Sequence, residues 1–516
     1  MKNFILAFVS LLYVSHSYSQ TTSENVSVLL GSNGREPSKS TISDIIGTAN
    51  GKVFMVRNSF GFANGNFFVE SYDEKMNLII RTEQHPEMDN DKFNPEECVL
   101  FGNDLLLFSS NHNKKTDQLD IYYQVLDQST LISSASPQLI ASVPSSSVFK
   151  YGSFDLIRSP DRSKLVLVKQ PPYDKNNPDR ISAVVFEAGM KKLWEKDFAL
   201  PYSDKLFATE RYVTDNGGNF YLMGRLYEDK VVEKRDGKPN YTYHIIAWYN
   251  QGETMKENLI SMKDHFITDL TMKIANNGNI VCGGFYSDAG TFSIRGTYFA
   301  TIDFATQQIS LQGIREFEKD FLAQFMNSSK AEKGKELDNY NLDNMILRSD
   351  GGVLLLAEQF YITQSTSTTY INGIPQTSTT YYYHYRSIIV VNVNPDMTIA
   401  WATKIPKEQI TRDDGGYFSS YSFMITGSNI YIVFNDNPKN LSIKDAMKIY
   451  PYNRSQSVAM LVTLNANGEW NKSVLFSNKD KGVILKPSVA EQVSENEMVI
   501  YAELGKDYLA GKLTFK

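Results

Sequence analysis

Cysteine and histidine are scarce in this chain of 516 residues, which contains two cysteines and six histidines. Cys98 and Cys282 lie far apart in apolar, strand-like segments, with no histidine or basic residue beside them. Disulfide bonds therefore cannot hold the fold together, and each thiol is expected to be a small buried group rather than a nucleophile. The usual spacings of zinc ligands are also missing, so we expect no zinc site.

The linear motifs of common enzyme classes are absent as well. The sequence has no GxSxG elbow, no Walker A loop and no strand-linked GxGxxG, and we therefore expect no nucleotide cofactor. Its formal net charge is −6, with no basic excess that would favour nucleic-acid binding. Because 42% of the residues are hydrophobic and 21% are charged, a packed core is expected.

The one long apolar run lies at the N-terminus. Residues 4–14, FILAFVSLLYV, follow Lys2 and precede Ser17 and Ser19. This pattern predicts a signal peptide over residues 1–19, because a membrane anchor needs about 20 apolar residues. We expect export to the periplasm, association with the outer membrane or secretion, and no transmembrane segment in the mature chain.

A turn followed by an alternating apolar run recurs eight times, and a second hairpin follows each of the first seven runs. Alternation with period two predicts strands, so each repeat supplies four antiparallel strands. The sequence predicts an all-β fold in which residues 20–516 form a single β-propeller of eight four-stranded blades. Seven blades are the main alternative, and a split into a propeller and a second domain is another. The first turns centre near residues 50, 103, 162, 217, 278, 351, 428 and 496.

The eighth repeat lacks a strand, since only YLAGKLTFK follows SENEMVIYAEL. The segment from Asn25 to Leu30 can supply it. We therefore expect an N-terminal strand to complete the last blade and to close the ring, which removes an exposed sheet edge.

Long segments fall almost entirely in one set of connections, which predicts a long-loop face opposite a face of short turns. The most distinctive segment is residues 360–386, where Asn372-Gly373 predicts a hairpin arm that protrudes from blade six. Its tyrosines are candidate contacts for a protein or a sugar, although cross-strand pairing that only stabilises the hairpin is the alternative. These candidates are Tyr361, Tyr370, Tyr381, Tyr382, Tyr383 and Tyr385.

Residues 316–336 interrupt the strand pattern. Phe317, Phe321 and Phe325 recur with the spacing of one helix face, and Leu322 extends this apolar stripe. The segment predicts a helical insertion that packs on its own domain or, alternatively, binds a partner.

Acidic clusters are the remaining chemical candidates. We place them in blade connections on the long-loop face, where two carboxylates could cleave a glycosidic bond or several could bind Ca²⁺. A solvated loop is the ordinary alternative. The clusters are Asp89, Asp91, Glu96 and Glu97, and the pair Asp413-Asp414.

Two resemblances bear on the fold and the compartment. Residues 159–167, SPDRSKLVL, look like the Ser-Pro-Asp-Gly-Lys repeat of the periplasmic propeller of the Tol system, with Arg162 in place of glycine. The segments RSIIVVNVNPDMTIAWATKIPK and YIVFNDNPKN resemble uncharacterised exported proteins of Bacteroidetes. These resemblances imply a propeller in a Gram-negative envelope and bring no activity with them.

The sequence therefore favours a non-enzymatic binding or scaffold propeller that engages an envelope protein or a glycan through its long-loop face. The alternative is a carbohydrate-active enzyme, a glycoside hydrolase or lyase, with carboxylates at the mouth of the central channel.

Overall fold

The computed structural model describes residues 25–37, 39–59, 65–146, 150–174, 178–443 and 448–516. The signal peptide predicted over residues 1–19 lies outside the described residues. Strands dominate the described part of the chain, as the alternating sequence pattern predicts.

The strands follow one another with few interruptions. In chain order they are β1 (Val26–Leu30), β2 (Gly34–Arg35), β3 (Ser40–Ala49), β4 (Lys52–Ser59), β5 (Phe67–Tyr72), β6 (Leu78–Glu83), β7 (Glu87–Met88), β8 (Asp91–Lys92), β9 (Asn94–Phe101), β10 (Asp104–Asn113), β11 (Gln118–Leu126), β12 (Gln138–Pro144), β13 (Ser153–Arg158), β14 (Leu165–Gln170), β15 (Pro178–Glu187), β16 (Lys191–Ser203), β17 (Phe207–Thr214), β18 (Phe220–Tyr227), β19 (Lys234–Arg235), β20 (Lys238–Pro239) and β21 (Tyr241–Tyr249). They continue with β22 (Thr254–Ile260), β23 (Phe266–Ile274), β24 (Ile280–Ser287), β25 (Ser293–Ile294), β26 (Gly296–Ile302), β27 (Ile309–Glu316), β28 (Leu337–Asp338), β29 (Tyr340–Leu347), β30 (Val353–Ile371), β31 (Ile374–Val393), β32 (Ile399–Ile405), β33 (Gln409–Arg412), β34 (Ser422–Thr426), β35 (Asn429–Asp436), β36 (Val458–Leu464), β37 (Trp470–Ser477), β38 (Ile484–Leu485), β39 (Glu491–Gln492), β40 (Glu497–Leu504) and β41 (Asp507–Phe515).

Helices are few and short in the described part of the chain. The α-helices are α1 (Lys319–Leu322), α2 (Ser328–Glu332) and α3 (Asn478–Lys481), and 3₁₀ turns cover Ala188–Met190, Pro438–Ser442 and Pro487–Val489. No helix among the described residues combines the length and the hydropathy that a membrane crossing requires.

Antiparallel sheets of four or more strands follow one another along the chain. We number them sheet 1 (β3–β6), sheet 2 (β9–β12), sheet 3 (β13–β16), sheet 4 (β17, β18, β21, β22), sheet 5 (β23, β24, β26, β27), sheet 6 (β29–β32), sheet 7 (β34–β37) and sheet 8 (β38–β41 with β1 and β2). The first strands of most neighbouring sheets contact one another, so these strands form the inner side of the assembly.

Each pair of successive sheets encloses a hydrophobic cluster, because both faces of most sheets carry buried apolar side chains. One further cluster joins the last sheet to the first, where Ile45 and Met55 pack with Val499 and Tyr501. Repeated four-stranded sheets whose last member packs on the first define a β-propeller fold.

Strand β1 completes sheet 8. It pairs antiparallel with β41 from Val26 opposite Phe515 to Leu30 opposite Gly511. The first and last strands of the described chain therefore meet, as the incomplete eighth repeat predicts, and β41 is not left with an open edge.

The turn after each first strand is tight where the sequence places Gly, Asn or Asp. Between β3 and β4, Asn50 and Gly51 both have positive φ, at 51° and 72°, which suits a two-residue hairpin turn.

One turn on the short-turn face is longer than expected. Residues 127–137 join β11 to β12, and their Leu131 is buried against sheet 1.

The insertion at 316–336 differs from the single helix stripe that the sequence predicts. It forms two short helices, because Asn327 caps a new helix by accepting a hydrogen bond from the backbone N–H of Lys330. Phe317 and Phe321 are buried against sheets 5 and 6. The stripe therefore packs on its own fold.

We predict that closure by β1 can be tested with one buried and one exposed position of that strand. Val26 is buried beside Leu513 and Phe515, so Val26→Asp should lower the free energy of unfolding by about 2 to 4 kcal/mol. Ser27 is exposed, and Ser27→Asp is the control. Guanidinium unfolding measures both variants, and equal midpoints would show that this strand does not hold the last sheet.

Candidate functional site

The arm is the continuation of β30 and β31 beyond the body of sheet 6. The two strands stay paired from Phe360 opposite Tyr385 to Ile371 opposite Ile374. Asn372 and Gly373 form the turn at the tip with φ values of 51° and 77°, as the Asn-Gly dipeptide predicts.

A third strand anchors the base of the arm. Strand β33, from the connection between sheets 6 and 7, pairs with β31 from Tyr382 to Tyr385. Just beyond it, the Asp413 carboxylate accepts a hydrogen bond of 2.8 Å from the backbone N–H of Tyr381. Asp413 therefore holds the arm in place, which gives this acidic candidate a structural role.

The pleat divides the six candidate tyrosines between two faces, because successive residues of a strand point to opposite sides. Tyr361 and Tyr382 share one face, and the other four share the opposite face. Tyr370 and Tyr381 are the most exposed, at 73% and 44%. The sequence groups all six tyrosines together, but the strand pairing does not place them on one surface.

Two tyrosines near the base make intramolecular contacts. The ring of Tyr361 stacks on His384 at 4.4 Å, and the ring of Tyr385 lies 4.6 Å from that of Phe360. Tyr385 also lies against Gly416, where an added Cβ would come within 2.3 Å of the ring. These contacts stiffen the base of the arm.

Other long segments meet on the same face as the arm. In the connections that follow sheet 6 and β35, the backbone N–H of Tyr452 donates to the carbonyl of Glu408 at 2.8 Å. A side-chain hydrogen bond links the loops of sheets 4 and 5, since Lys234 Nζ donates to the carbonyl of Ala289 at 2.8 Å. We keep the name long-loop face for this surface.

Two of the acidic candidates lie elsewhere than the sequence suggests. Glu96 and Glu97 belong to β9, the inner strand of sheet 2, and not to a blade connection. Burial raises the pKa of Glu97 to about 7, and the hydroxyl of Ser110 donates to Glu96. Asp89 and Asp91 are exposed in the β7–β8 segment. No three His, Cys, Asp or Glu side chains within the described ranges gather as a metal site would require.

Carboxylates recur on the inner strands, and sequence reasoning missed this pattern. An acidic residue precedes the first turn in seven of the eight sheets, a signal that aligning the repeats on their turns would have revealed. The residues are Asp44, Glu97, Asp155, Glu210, Asp269, Asp343 and Glu491.

Some of these carboxylates link neighbouring inner strands. Asp269 of sheet 5 accepts a hydrogen bond from the backbone N–H of Leu342 in sheet 6 at 2.7 Å. Asp343 accepts another from the Tyr421 hydroxyl at 2.8 Å. Burial raises the pKa of Asp269 to about 6 and that of Asp343 to about 7. Bulges at Glu210 and Asp343 locally re-aim these inner strands.

A cavity of about 340 Å³ opens where sheets 7, 8 and 1 meet the long-loop face. It contains both acidic and basic side chains together with two aromatic rings. Its lining includes Glu36, Glu503, Asp414, Tyr417, Phe418 and Arg454.

Two buried carboxyl groups of this cavity, Glu36 and Glu503, form a hydrogen bond with each other. They are 9% and 5% exposed. Burial, and then the hydrogen bond that Glu36 donates to the Glu503 carboxylate, raises the pKa of Glu36 to about 8. The pair therefore holds one proton at neutral pH, as two adjacent carboxylates must when they cannot both ionise.

Polar partners surround each member of the pair. Glu503 accepts hydrogen bonds from Thr41, at 2.8 Å, and from the Tyr417 hydroxyl. Glu36 accepts from the Tyr501 hydroxyl and lies 3.1 Å from Arg57, whose guanidinium is completely buried. The sequence gives no linear signal for this pair, because Glu36 and Glu503 come from opposite ends of the chain.

The direct contact between these carboxyls determines what the cavity can do chemically. Glycosidases that use two carboxylates keep them about 5 to 9.5 Å apart, so that a substrate or a water molecule fits between them. Glu36 and Glu503 leave no such gap. Their arrangement suits a proton-dependent structural contact better than glycosidic cleavage.

No protein-family model matches the sequence, and no curated protein matches it either. The chain is similar to the solved WD40 domain of SCAP from fission yeast, with 9% identity, coverage of 96% of this chain and 97% of that chain, and a TM-score of 0.40. It is similar to the β-propeller domain of the Trilobed protease from Pyrococcus furiosus, with 10% identity, coverage of 84% and 95%, and a TM-score of 0.34. It is also similar to a protein of unknown function from Bacteroides caccae, with 7% identity, coverage of 68% and 93%, and a TM-score of 0.27.

We predict that the protonated Glu36 makes stability depend on pH. A carboxyl whose pKa is about 8 in the folded state contributes stability that is full below its unfolded pKa and is lost as pH rises through 8. The free energy of unfolding, measured with urea, should therefore decline as pH rises from 5 to 9. Glu36→Gln should make that decline smaller by on the order of 2 kcal/mol.

The matched control is Glu497→Gln. It removes a carboxylate that pairs with Lys512 from strand β40, the strand that also carries Glu503. The control should keep the wild-type pH profile. If Glu36→Gln also keeps that profile, the shared proton does not contribute to stability.

Proposed function

We propose that this chain is an exported, eight-bladed propeller that serves as a non-enzymatic binding scaffold. Its working surface is the long-loop face, and its partner is an envelope protein or a glycan. The site of action is the periplasm, the outer membrane or the medium, as the N-terminal sequence pattern suggests.

The observation that carries this proposal is the apolar tip of the arm. Tyr370, Ile371 and Ile374 are 73%, 53% and 66% exposed. Large apolar side chains grouped at the end of a protruding hairpin gain free energy only when another surface covers them.

The stem below the tip is polar and is stabilised without a core. Cross-strand hydroxyl pairs join Thr366 to Thr379 at 3.3 Å and Ser367 to Ser378 at 3.2 Å. Such pairs are worth a few tenths of a kcal/mol each, so they support the hairpin across its exposed length. The contrast between a polar stem and an apolar tip favours contact at the tip over simple self-stabilisation.

The base of the arm supports the same proposal because it fixes the direction in which the stem projects. Strand β33 and Asp413 hold β31 on one side, and Tyr385 packs against Gly416. An anchored arm loses less conformational entropy on binding than a loose loop would.

We predict that shortening the arm abolishes partner capture and spares the fold. The variant deletes residues 366–379 and joins Ser365 to Thr380 through Asn-Gly, which keeps their strand register and supplies a two-residue turn. The pairing of β33 with Tyr382–Tyr385 stays intact. Capture from envelope extracts, measured by quantitative mass spectrometry, should fall at least tenfold while the unfolding temperature changes little.

A second variant removes only the apolar contacts. Tyr370→Thr with Ile374→Thr should give the same loss, whereas Leu259→Thr, on the outer strand of sheet 4 and 56% exposed, should not. Protease treatment of the extract should abolish capture of a protein partner and spare capture of a glycan. Periodate oxidation of the extract should abolish capture of a glycan and spare capture of a protein. Undiminished capture by the shortened arm would refute the proposal.

A further inference from the structure

A second cavity, of about 1040 Å³, opens on the short-turn face. The inner strands of sheets 3 to 7 form its wall, and turns such as Ala275–Asn277 and Ser349–Gly351 form its rim. Because first turns and arm lie at opposite ends of their strands, this cavity lies away from the arm. Its volume is at the upper end of the range for small-molecule sites.

Positive charge is concentrated on one side of this cavity. Arg158, Arg211 and Lys273 line it from the inner strands of three consecutive sheets, and all three are exposed. Among the described residues, no carboxylate oxygen lies within the ion-pair distance of 4.0 Å from any of the three side chains. The chain as a whole has a formal charge of −6, so the cluster is not part of a generally basic surface.

Nearby carboxylates offset the charge of Arg158 more than that of Arg211 or Lys273. Among the described residues that line the cavity, the acidic one is Asp350, and it forms an ion pair with Arg348. Partial desolvation at the cavity wall, and then the charge of Arg211, lowers the pKa of Lys273. The charge of Arg158 partly offsets the rise in the pKa values of Asp44, Glu97 and Glu491, so Arg158 is the least isolated of the three. A concave wall with an excess of positive charge attracts anionic ligands.

The rest of the wall can hold a compact molecule. Phe423 and Ile425 of sheet 7 and Ile346 of sheet 6 give apolar surface. The arginines provide planar groups with several donors, which match phosphate and sulfate oxygens in pairs.

We propose that this cavity binds a compact multivalent anion, a ring compound that carries phosphate or sulfate esters. Arg211 and Lys273 hold the anionic groups, and the ring lies against the apolar wall. The site is independent of the arm and of the binding function proposed for it.

Isothermal titration calorimetry with inositol hexakisphosphate tests this proposal on the mature chain. We expect saturable binding at 50 mM salt that weakens at least tenfold at 200 mM, since several charges are neutralised together. Neither myo-inositol, which lacks charge, nor inorganic phosphate, which lacks the ring, should bind comparably. Absence of binding by inositol hexakisphosphate, or equally tight binding of inorganic phosphate, would overturn the proposal.

The double variant Arg211→Gln/Lys273→Gln should bind at least tenfold more weakly. Lys256→Gln is the matched control, because it removes one charge from the exposed outer strand of the sheet that carries Arg211. It should bind within twofold of the wild type, and equal weakening in the control would reject the site. If the double variant does not fold, as judged by circular dichroism, Lys273→Gln alone must weaken binding at least threefold.

The shortened-arm variant separates the two proposals. It should bind inositol hexakisphosphate as the wild type does, whether or not the arm captures a partner. Loss of anion binding in that variant would contradict a site on the short-turn face.

Discussion

The pairing of β1 with β41 is the constraint on which the rest of the structure depends. Most sheets bury apolar side chains on both faces, so each one needs a neighbour on either side. Only when the last sheet packs on the first does every sheet have two neighbours. The junction is reinforced by completely buried Arg57, which contacts Glu36 and Glu70. A buried charge of this kind is tolerated because its partners are in place.

Closure has a chemical consequence at the same junction. It brings Glu36 and Glu503, which are separated by most of the chain, into hydrogen-bond contact in the lining of a cavity. Proximity and burial together keep a proton on this pair at neutral pH. This arrangement predicts that the stability of the closed ring depends on pH, and it lacks the carboxylate spacing that glycosidic cleavage needs.

The two faces of the assembly differ because antiparallel strands separate their turns. Every first turn falls on one face, and most of the long connections fall on the other, where the arm and β33 are located. The inner strands between the faces carry carboxylates such as Asp269 and Asp343, while Arg211 and Lys273 lie nearer the short turns of their strands. The arm therefore offers an apolar contact on one side of the molecule, and the basic cavity offers an electrostatic contact on the other.

The sequence by itself determined the strands, the turns such as Asn50-Gly51, the Asn372-Gly373 hairpin and the need for an N-terminal strand in the last sheet. These features follow from local rules, namely alternation with period two and the positive φ that Asn and Gly tolerate. The Glu36–Glu503 contact and the hydrogen bond that Asp269 accepts from Leu342 of the next sheet were decided by the tertiary structure alone. Strand register and ring closure set which distant side chains meet, and neither quantity is encoded within any short segment.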